Sequence, residues 1–316
     1  MSWLPYQLEE VPCDSCGRTE SRQVIIRPDG MCVVECTTCG LAYLNPRPKA
    51  DQIRLFYDDA YFGSGAKKAG VGYQTYSHES LSAVHKATGM NKLDVIGSRI
   101  ELEGKRALEI GCATGEFCQV LYKRGCSVVG VDLSKEVIEL AKARYPHLDL
   151  RPGDLQSAVR DDKFDVIFAW EVVEHVTSPE GFVAEISQRL SPNGYVVLST
   201  PNYACAKHVQ PSRWAGFQYS FEHLYFFDRR ALENIGSHHG LRHVISYSGG
   251  GAGLVPAPQR FRSFVRKVLS STGTLRAVRQ LRAAANPPGI GYSAGREDQH
   301  NLIIILQHDS GRVARN

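Results

Sequence analysis

The sequence predicts an α/β chain, a doubly wound and mostly parallel sheet preceded by a small metal-stapled ribbon. Two observations carry that expectation. The chain opens with two tight cysteine pairs, Cys13-x2-Cys16 and Cys36-x2-Cys39, nineteen residues apart; thiolates so spaced converge on one tetrahedral Zn2+. From Arg106 onward, short apolar runs alternate with amphipathic stretches, as expected of strands joined by crossover helices and buried on both faces.

A chain of 316 residues has room for one large domain and a small one. Its 43% apolar and 22% charged residues are ordinary for a globular protein, and a net charge of +4 does not by itself argue for nucleic-acid binding. Nine cysteines, an odd number, point to a reducing compartment rather than a disulfide scaffold. Cys32, Cys112, Cys118, Cys126 and Cys205 lie outside the two pairs and are expected to be free thiols. Met1 to Pro5 carry no basic region followed by an apolar run, and no apolar stretch reaches the roughly 18 residues of a membrane span. The expected location is therefore cytoplasmic.

In chain order, residues 11–44 read as a ribbon, with strands at 24–26 and 31–34 around a turn at Pro28-Asp29-Gly30. Gly17 and Gly40 follow the CxxC pairs and permit the sharp backbone path there. A closed site of four thiolates is a structural zinc. Asn45-Pro46-Arg47-Pro48 ends a module of residues 1–48. Residues 49–95 form a helical linker or lid, with helices at 50–57 and 78–98 around a Gly- and Lys-rich loop at 63–75. Residues 96–310 make the main domain. Its strands are expected at 107–110, 127–131, 147–150, 164–169, 195–199, 241–247 and 301–307, and its helices at 116–124, 135–144, 179–190 and 229–239.

The most informative motif is Glu109-Ile110-Gly111-Cys112-Ala113-Thr114-Gly115, an acidic strand end before a glycine turn that opens a helix. Gly111 and Gly115 allow backbone to approach a ligand closely. Asp132 closes the second strand, twenty-one residues after Gly111, where a carboxylate accepts both ribose hydroxyls of an adenosine. Ala113 breaks the G-x-G-x-x-G dinucleotide pattern, and Glu109 would serve a diphosphate poorly. A carboxylate there suits a cofactor with a cationic or amine-bearing end, and S-adenosylmethionine has both a sulfonium and an amino group.

At these residues the chain resembles the class I S-adenosylmethionine-dependent methyltransferases, over about residues 105–307. Gly153-Asp154-Leu155, Phe164-Asp165-Val166-Ile167 and Leu190-Ser191-Pro192-Asn193-Gly194-Tyr195 extend the resemblance, and Ala113, in place of a usual glycine, departs from it. It implies a Rossmann-like seven-stranded sheet and S-adenosylmethionine as cofactor. Asp132 would bind the ribose. Asp154 would contact the adenine amino group, with a backbone donor at Leu155. Glu109, Gly111 and Ala113 would line the methionine end, and Gly115, Leu133 and Trp170 complete the expected cofactor-binding set.

The fourth strand leads into Trp170-Glu171-Val172-Val173-Glu174-His175. Ligands of open α/β sheets lie beyond the carboxyl ends of the strands, which places His175 near the transferred group. A neutral imidazole there either takes a proton from an acceptor hydroxyl or orders the loop. On a helical turn, Glu171, Glu174 and His175 would share one face and could hold Mg2+ or Mn2+. This ExxEH run resembles the ubiquinone-pathway O-methyltransferases and small-RNA 3′-end methyltransferases, where it supplies metal ligands.

A second cluster, residues 219–227, offers Glu222 as an orienting carboxylate and His223 as a base or further metal ligand. With the zinc module, Glu222-His223 is similar to sugar C-methyltransferases of nucleotide-linked sugars, which favour a Tyr-His-Glu-His run. Here Ser220 and Phe221 replace the first two members, so O-methylation is the expectation.

The insert 256–298 carries Arg260, Arg262, Arg266, Lys267, Arg276, Arg279, Arg282 and Arg296 against only Glu297 and Asp298. Phe261, Phe264, Val265, Val268 and Leu269 recur at helical spacing. Such a basic amphipathic helix suits a lid packed on the domain with its arginines in water, or else peripheral contact with an anionic membrane, the diphosphate of a lipid-linked or nucleotide-linked substrate, or RNA phosphates. The expected function is methyl transfer to a hydroxyl of a small polar acceptor, glycosyl or carrier-linked. The alternatives are RNA methylation and a non-catalytic cofactor-binding scaffold. Glu9, Glu10, Asp14, Glu20, Asp29 and Glu35 offset the ribbon's arginines and weigh against RNA.

Overall fold

A computed structural model describes residues 7–56, 93, 96–97, 99–208, 210–218, 222–249, 292–294 and 300–309. The expected loop at 63–75, most of the helix at 78–98, residues 219–221, and the insert 256–298 apart from 292–294 lie outside the described residues.

The ribbon is built from β1 (Leu8–Glu9), β2 (Ser21–Ile26), β3 (Cys32–Cys36), β4 (Ala42–Leu44) and β5 (Arg47–Pro48), followed by α1 (Ala50–Phe56). β2 and β3 form an antiparallel hairpin from Ser21↔Cys36 to Ile26↔Cys32, with a register shift between Gln23 and Ile25. The same turn occurs twice around the cysteines. Gly17 N–H donates to Cys13 O at 2.8 Å and Gly40 N–H to Cys36 O at 3.0 Å, and both glycines have positive φ, 69° and 79°, conformations that a side chain would strain.

The second sheet holds a doubly wound αβ frame: β6 (Arg106–Ile110), α2 (Glu116–Lys123), β7 (Ser127–Asp132), α3 (Lys135–Arg144), β8 (Asp149–Pro152), α4 (Leu155–Ala158), β9 (Phe164–Trp170), α5 (Pro179–Arg189) and β10 (Leu190–Pro201). After β10 come α6 (Tyr203–His208), α7 (Ala215–Gln218), β11 (Tyr225–Phe226), α8 (Arg229–His238), β12 (Leu241–Gly249), β13 (Tyr292–Ala294) and β14 (Asn301–His308). The strand order is β13-β12-β14-β10-β9-β6-β7-β8. The five strands β8, β7, β6, β9 and β10 are mutually parallel, and β14 runs antiparallel to both β10 and β12. The seven expected strands are all present, and the short β13 adds an edge beside β12. Val166 to Ala169 and Ile303 to Ile305 are wholly buried, as strands covered by helices on both faces must be.

Helix starts follow local chemistry. Ser134, Asp154, Ser178 and Asp228 cap α3, α4, α5 and α8 through their side chains. β8 begins two residues later than the sequence suggests, because Leu148 N–H still closes the turn after α3 on Tyr145 O at 3.0 Å. The short β11 was not read from the sequence. It pairs antiparallel with β4, Tyr225↔Tyr43 and Phe226↔Ala42, and so completes a four-stranded sheet with the ribbon. No helix among the described residues is long and apolar enough to cross a membrane.

Candidate active site

The carboxyl ends of β6, β7 and β9 converge on one edge of the sheet. After β6, Gly111 turns with φ 73° and Ala113 with φ 46°; Gly111 and Cys112 both donate to Val131 O, at 2.8 and 3.0 Å. Asp132 is 4% exposed. Its Oδ2 accepts the Ala113 N–H at 3.0 Å and its Oδ1 the Ser134 N–H at 3.0 Å, so one carboxylate ties the glycine turn to the start of α3. Beside it, Leu133 is 66% exposed, an apolar side chain left bare next to a carboxylate. Glu109 is buried and accepts the Cys118 thiol at 3.0 Å. Gly115 N-caps α2 with φ 81°. Asp154 Oδ1 accepts from both the Ser157 N–H and hydroxyl, at 2.8 and 2.6 Å, which holds the carboxyl below its ordinary range. Leu155 is buried at the start of α4, and the Trp170 ring meets Phe117 edge-on at 5.1 Å.

Directly after β9 comes Glu171, a non-glycine residue with φ 54°, a conformation that stores backbone strain. Ser199 Oγ donates to Glu171 Oε1 at 2.6 Å, and Glu171 N–H donates back to Ser199 O at 3.1 Å. The chain then makes a turn, with His175 N–H on Val172 O at 3.0 Å, rather than the helix on which Glu171, Glu174 and His175 were expected to share a face. Glu174 is fully buried and is brought instead against His175 and His223, with one ligand atom from each of the three within 4.8 Å of the others. The imidazoles of His175 and His223 stand edge to face, 4.7 Å between centroids and 82° between planes. His223 Nε2 lies 3.9 Å from Glu174 Oε1 and 3.8 Å from Glu222 Oε1.

Burial dominates the electrostatics of this cluster. It lowers His175 to about 4, against the Glu222 backbone carbonyl, which raises it. It pushes His223 well below the ordinary histidine range, helped by His175 and Arg27. It raises Glu174, with the Glu171 charge adding to the effect, and it raises Glu222. Two neutral imidazoles thus stand beside a carboxyl that favours its protonated form.

The four thiols meet as the spacing predicts. Cys13 Sγ is 3.4 Å from Cys39 Sγ, and Cys16 Sγ is 3.5 Å from Cys36 Sγ, near the edge of about 3.8 Å that a tetrahedron with Zn–S bonds of about 2.3 Å requires. Burial raises Cys13 and Cys39, the latter to about 11. At Cys36 burial also raises the thiol, but the N–H groups of Cys39 and Thr38 prevail and bring it to about 7.

Several residues that organise the site were not read from the sequence. Arg27 Nη1 donates to His223 O at 3.1 Å, and Arg47 Nη1 donates to Thr177 O at 2.6 Å and to the Tyr225 hydroxyl at 2.7 Å. Leu44 N–H donates to Leu224 O at 2.9 Å, while Leu224 and Tyr225 donate to Glu174 O at 2.9 and 3.2 Å. Only the Arg27-x-Asp29 pair around the hairpin turn offered a signal in the sequence.

A methyltransferase-domain family model matches residues 77–246. A ubiquinone biosynthesis O-methyltransferase of Bradyrhizobium diazoefficiens is 40% identical over 105 residues, 32% of this chain and 42% of that protein. One of Coxiella burnetii is 31% identical over 116 residues, 35% of this chain and 50% of that protein. The chain thus spans half or less of the length of these relatives. The solved structure of a SAM-dependent methyltransferase from Thermotoga maritima superposes with a TM-score of 0.51 at 14% identity, covering 74% of this chain and 96% of that one, a likeness of fold.

Proposed function

The chain belongs to the methyltransferase-domain family, whose model covers more than half of it, and from that premise we propose that it transfers a methyl group from S-adenosylmethionine to a hydroxyl of a small polar acceptor. One observation carries the reading. A Cβ on Gly111 would stand 2.9 Å from Val172 Cγ2, so the turn bearing Glu174 and His175 lies directly on the glycine turn of the cofactor side.

When bound, S-adenosylmethionine supplies an electrophilic methyl group on a sulfonium. The residues present fit it. The Asp132 carboxylate, already held by two backbone donors, is the group we assign to the ribose. Leu133 offers apolar surface for the adenine, Asp154 and Leu155 its edge contacts, and Glu109, Gly111, Ala113 and Gly115 the methionine end, with Trp170 closing the strand-end wall. An imidazole nitrogen of His175 or His223 takes the acceptor hydroxyl proton, Glu222 orients, and the buried surroundings exclude water.

Imidazoles lowered by burial are weak bases, matched to an acidic hydroxyl such as an aromatic one; the relatives named as O-methyltransferases support oxygen as the accepting atom. A glycosyl hydroxyl on a nucleotide- or lipid-linked carrier is the second reading, and it rests on the sequence resemblance of Glu222-His223 and the cysteine pairs. Contact with an anionic membrane through residues 256–298 rests on the sequence alone.

The test is methyl transfer from labelled S-adenosylmethionine to a panel of catechols, nucleotide-linked sugars and RNA. Transfer to a hydroxyl that falls at least about a hundredfold in His223→Gln or His175→Gln supports the reading. Turnover unchanged in both removes the base assignment, and salt-sensitive transfer to RNA alone overturns the small-acceptor reading. The same assay with a chelator addresses a divalent ion at Glu174, His175 and His223. Two imidazoles and one carboxylate suit Mn2+ or Zn2+ better than oxygen-seeking Mg2+; because a chelator also draws on the four thiolates, activity restored by Mn2+ while the thiolate-bound zinc stays in place by metal analysis would assign the cluster to ion binding.

A further inference from the structure

We propose that Arg27 is a positioning residue: from the ribbon it fixes the backbone that carries His223, and with it the edge-to-face pair of His223 and His175. The inference rests on the reading of that pair as the proton-accepting group, and it concerns how the pair is held.

Arg27 is 2% exposed. Its Nε and Nη2 engage Asp29 Oδ1 and Oδ2 at 3.1 and 2.6 Å, and both side chains of the pair are wholly buried. Asp29 is itself fixed, because Oδ1 also accepts the Met31 N–H at 3.3 Å. The hairpin turn locks the other end, with Arg27 N–H on Met31 O at 2.8 Å and Gly30 N–H on Arg27 O at 2.9 Å. The fork therefore points in one direction, and Nη1 crosses 196 residues of sequence to the His223 carbonyl at 3.1 Å.

A buried ion pair is a poor way to stabilise a hairpin. Taking both ions out of water is costly, and apolar side chains of similar volume are often as good or better. What the arginine adds is direction, a planar donor array held at one angle. His223 is the residue whose place depends on that angle. Leu224 and Tyr225, next in sequence, are tied to Glu174 O, and Leu224 O takes the Leu44 N–H. Segment 223–225 is thus pinned between the ribbon on one side and the turn of Glu174 and His175 on the other. Glu174, Glu222, His175, Arg27 and His300 are the charged or titratable groups that face the His223 ring.

The test uses the full-length, zinc-loaded chain. Arg27→Lys keeps the charge and loses the fork, while Arg27→Met combined with Asp29→Met removes the pair without stranding either partner. Amide hydrogen exchange is followed at 222–225, and the imidazole signals of His175 and His223 by 15N-histidine labelling, with His238 and His239 as internal controls. In both variants exchange at 223–225 should rise about tenfold, the value of one good hydrogen bond. The His175 and His223 signals should shift or broaden while the controls hold. S-adenosylmethionine affinity by calorimetry should stay unchanged, and kcat in the acceptor assay should fall without a change in KM for that cofactor.

Folded variants with wild-type exchange and wild-type His223 signals overturn the proposal. If the double variant does not fold, Arg27→Lys decides alone. Full turnover of both His223→Gln and His175→Gln would end the base reading while leaving the exchange and resonance results to judge the positioning, so the two failures are distinguishable.

Discussion

Asp14 Oδ2 accepts the backbone N–H of Glu180 at 2.8 Å, so a residue between the first two cysteines caps a helix of the large sheet domain. Its Oδ1 takes the Ser178 hydroxyl at 3.0 Å, and Ser178 Oγ in turn accepts the Gly181 N–H at 3.0 Å. Two of the orphan donors at the start of α5 are thereby satisfied, one from each side of the junction. Asp14→Ala should destabilise the chain by about 1–2 kcal/mol, the range of a lost cap with a charged acceptor, and Asp14→Asn by less. Denaturant unfolding checks this. Wild-type stability in Asp14→Ala would mean that water replaces the contact at no cost.

Zinc removal should be felt beyond the ribbon. β4 follows the second cysteine pair directly, and Tyr225 and Phe226 of β11 take their pairing from it. We expect one Zn2+ per chain by metal analysis. On chelation, or in Cys36→Ser, amide protection should be lost at Phe226, which pairs with Ala42, as well as within residues 7–48. Loss confined to 7–48 would show that the two parts hold together without the metal.

Gly111 should not tolerate a methyl group. Its φ of 73° strains any L side chain, and the added Cβ would stand 2.9 Å from Val172 Cγ2. Gly111→Ala should cost about 1–3 kcal/mol and weaken S-adenosylmethionine binding, measured by calorimetry. Adding Val172→Ala clears the contact but not the φ strain, so recovery should be partial. Full recovery would assign the effect to contact alone, and none would assign it to the backbone.

The sequence made the sheet domain legible because its signals are local. Alternating apolar runs, the Glu109 to Gly115 turn and Asp132 at a strand end each report on a few neighbouring residues, and all lie where the spacing implies. The acceptor side was legible only in part. His175 and His223 were singled out separately, but nothing within either segment reveals that they meet at 4.7 Å. The ExxEH run suggested a helical face, yet the positive φ of Glu171, set by its bonds to Ser199, breaks the period and leaves Glu174 to face the histidines. The two-residue β11 has too few side chains to show a strand period, and its pairing with β4 is a long-range contact. Arg27 stands beside the Pro28-Asp29-Gly30 turn, where a charged residue is ordinarily solvated, and its burial is what sets it apart.

Acid should expose the clamp at the opposite edge of the sheet. Asp162 Oδ1 accepts from Arg106 Nη2 at 2.6 Å and Oδ2 from Arg151 Nη1 at 2.8 Å. The Arg106 bond, with Arg151 behind it and burial opposing, holds the Asp162 carboxyl below its ordinary range. A folded value below the unfolded one, about 3.9, means that the carboxylate's contribution is complete above that pH and is lost as pH falls through the lowered folded value. The three side chains are 26–39% exposed, so solvent screening limits the contribution to about 1 kcal/mol. Asp162→Asn should therefore be less stable than wild type by about that amount at pH 7, and the gap should close as pH drops below about 4. Urea unfolding of both proteins across that range decides the matter. A gap independent of pH would mean that shape and neutral hydrogen bonding, rather than charge, hold the ends of β6 and β8 to this loop.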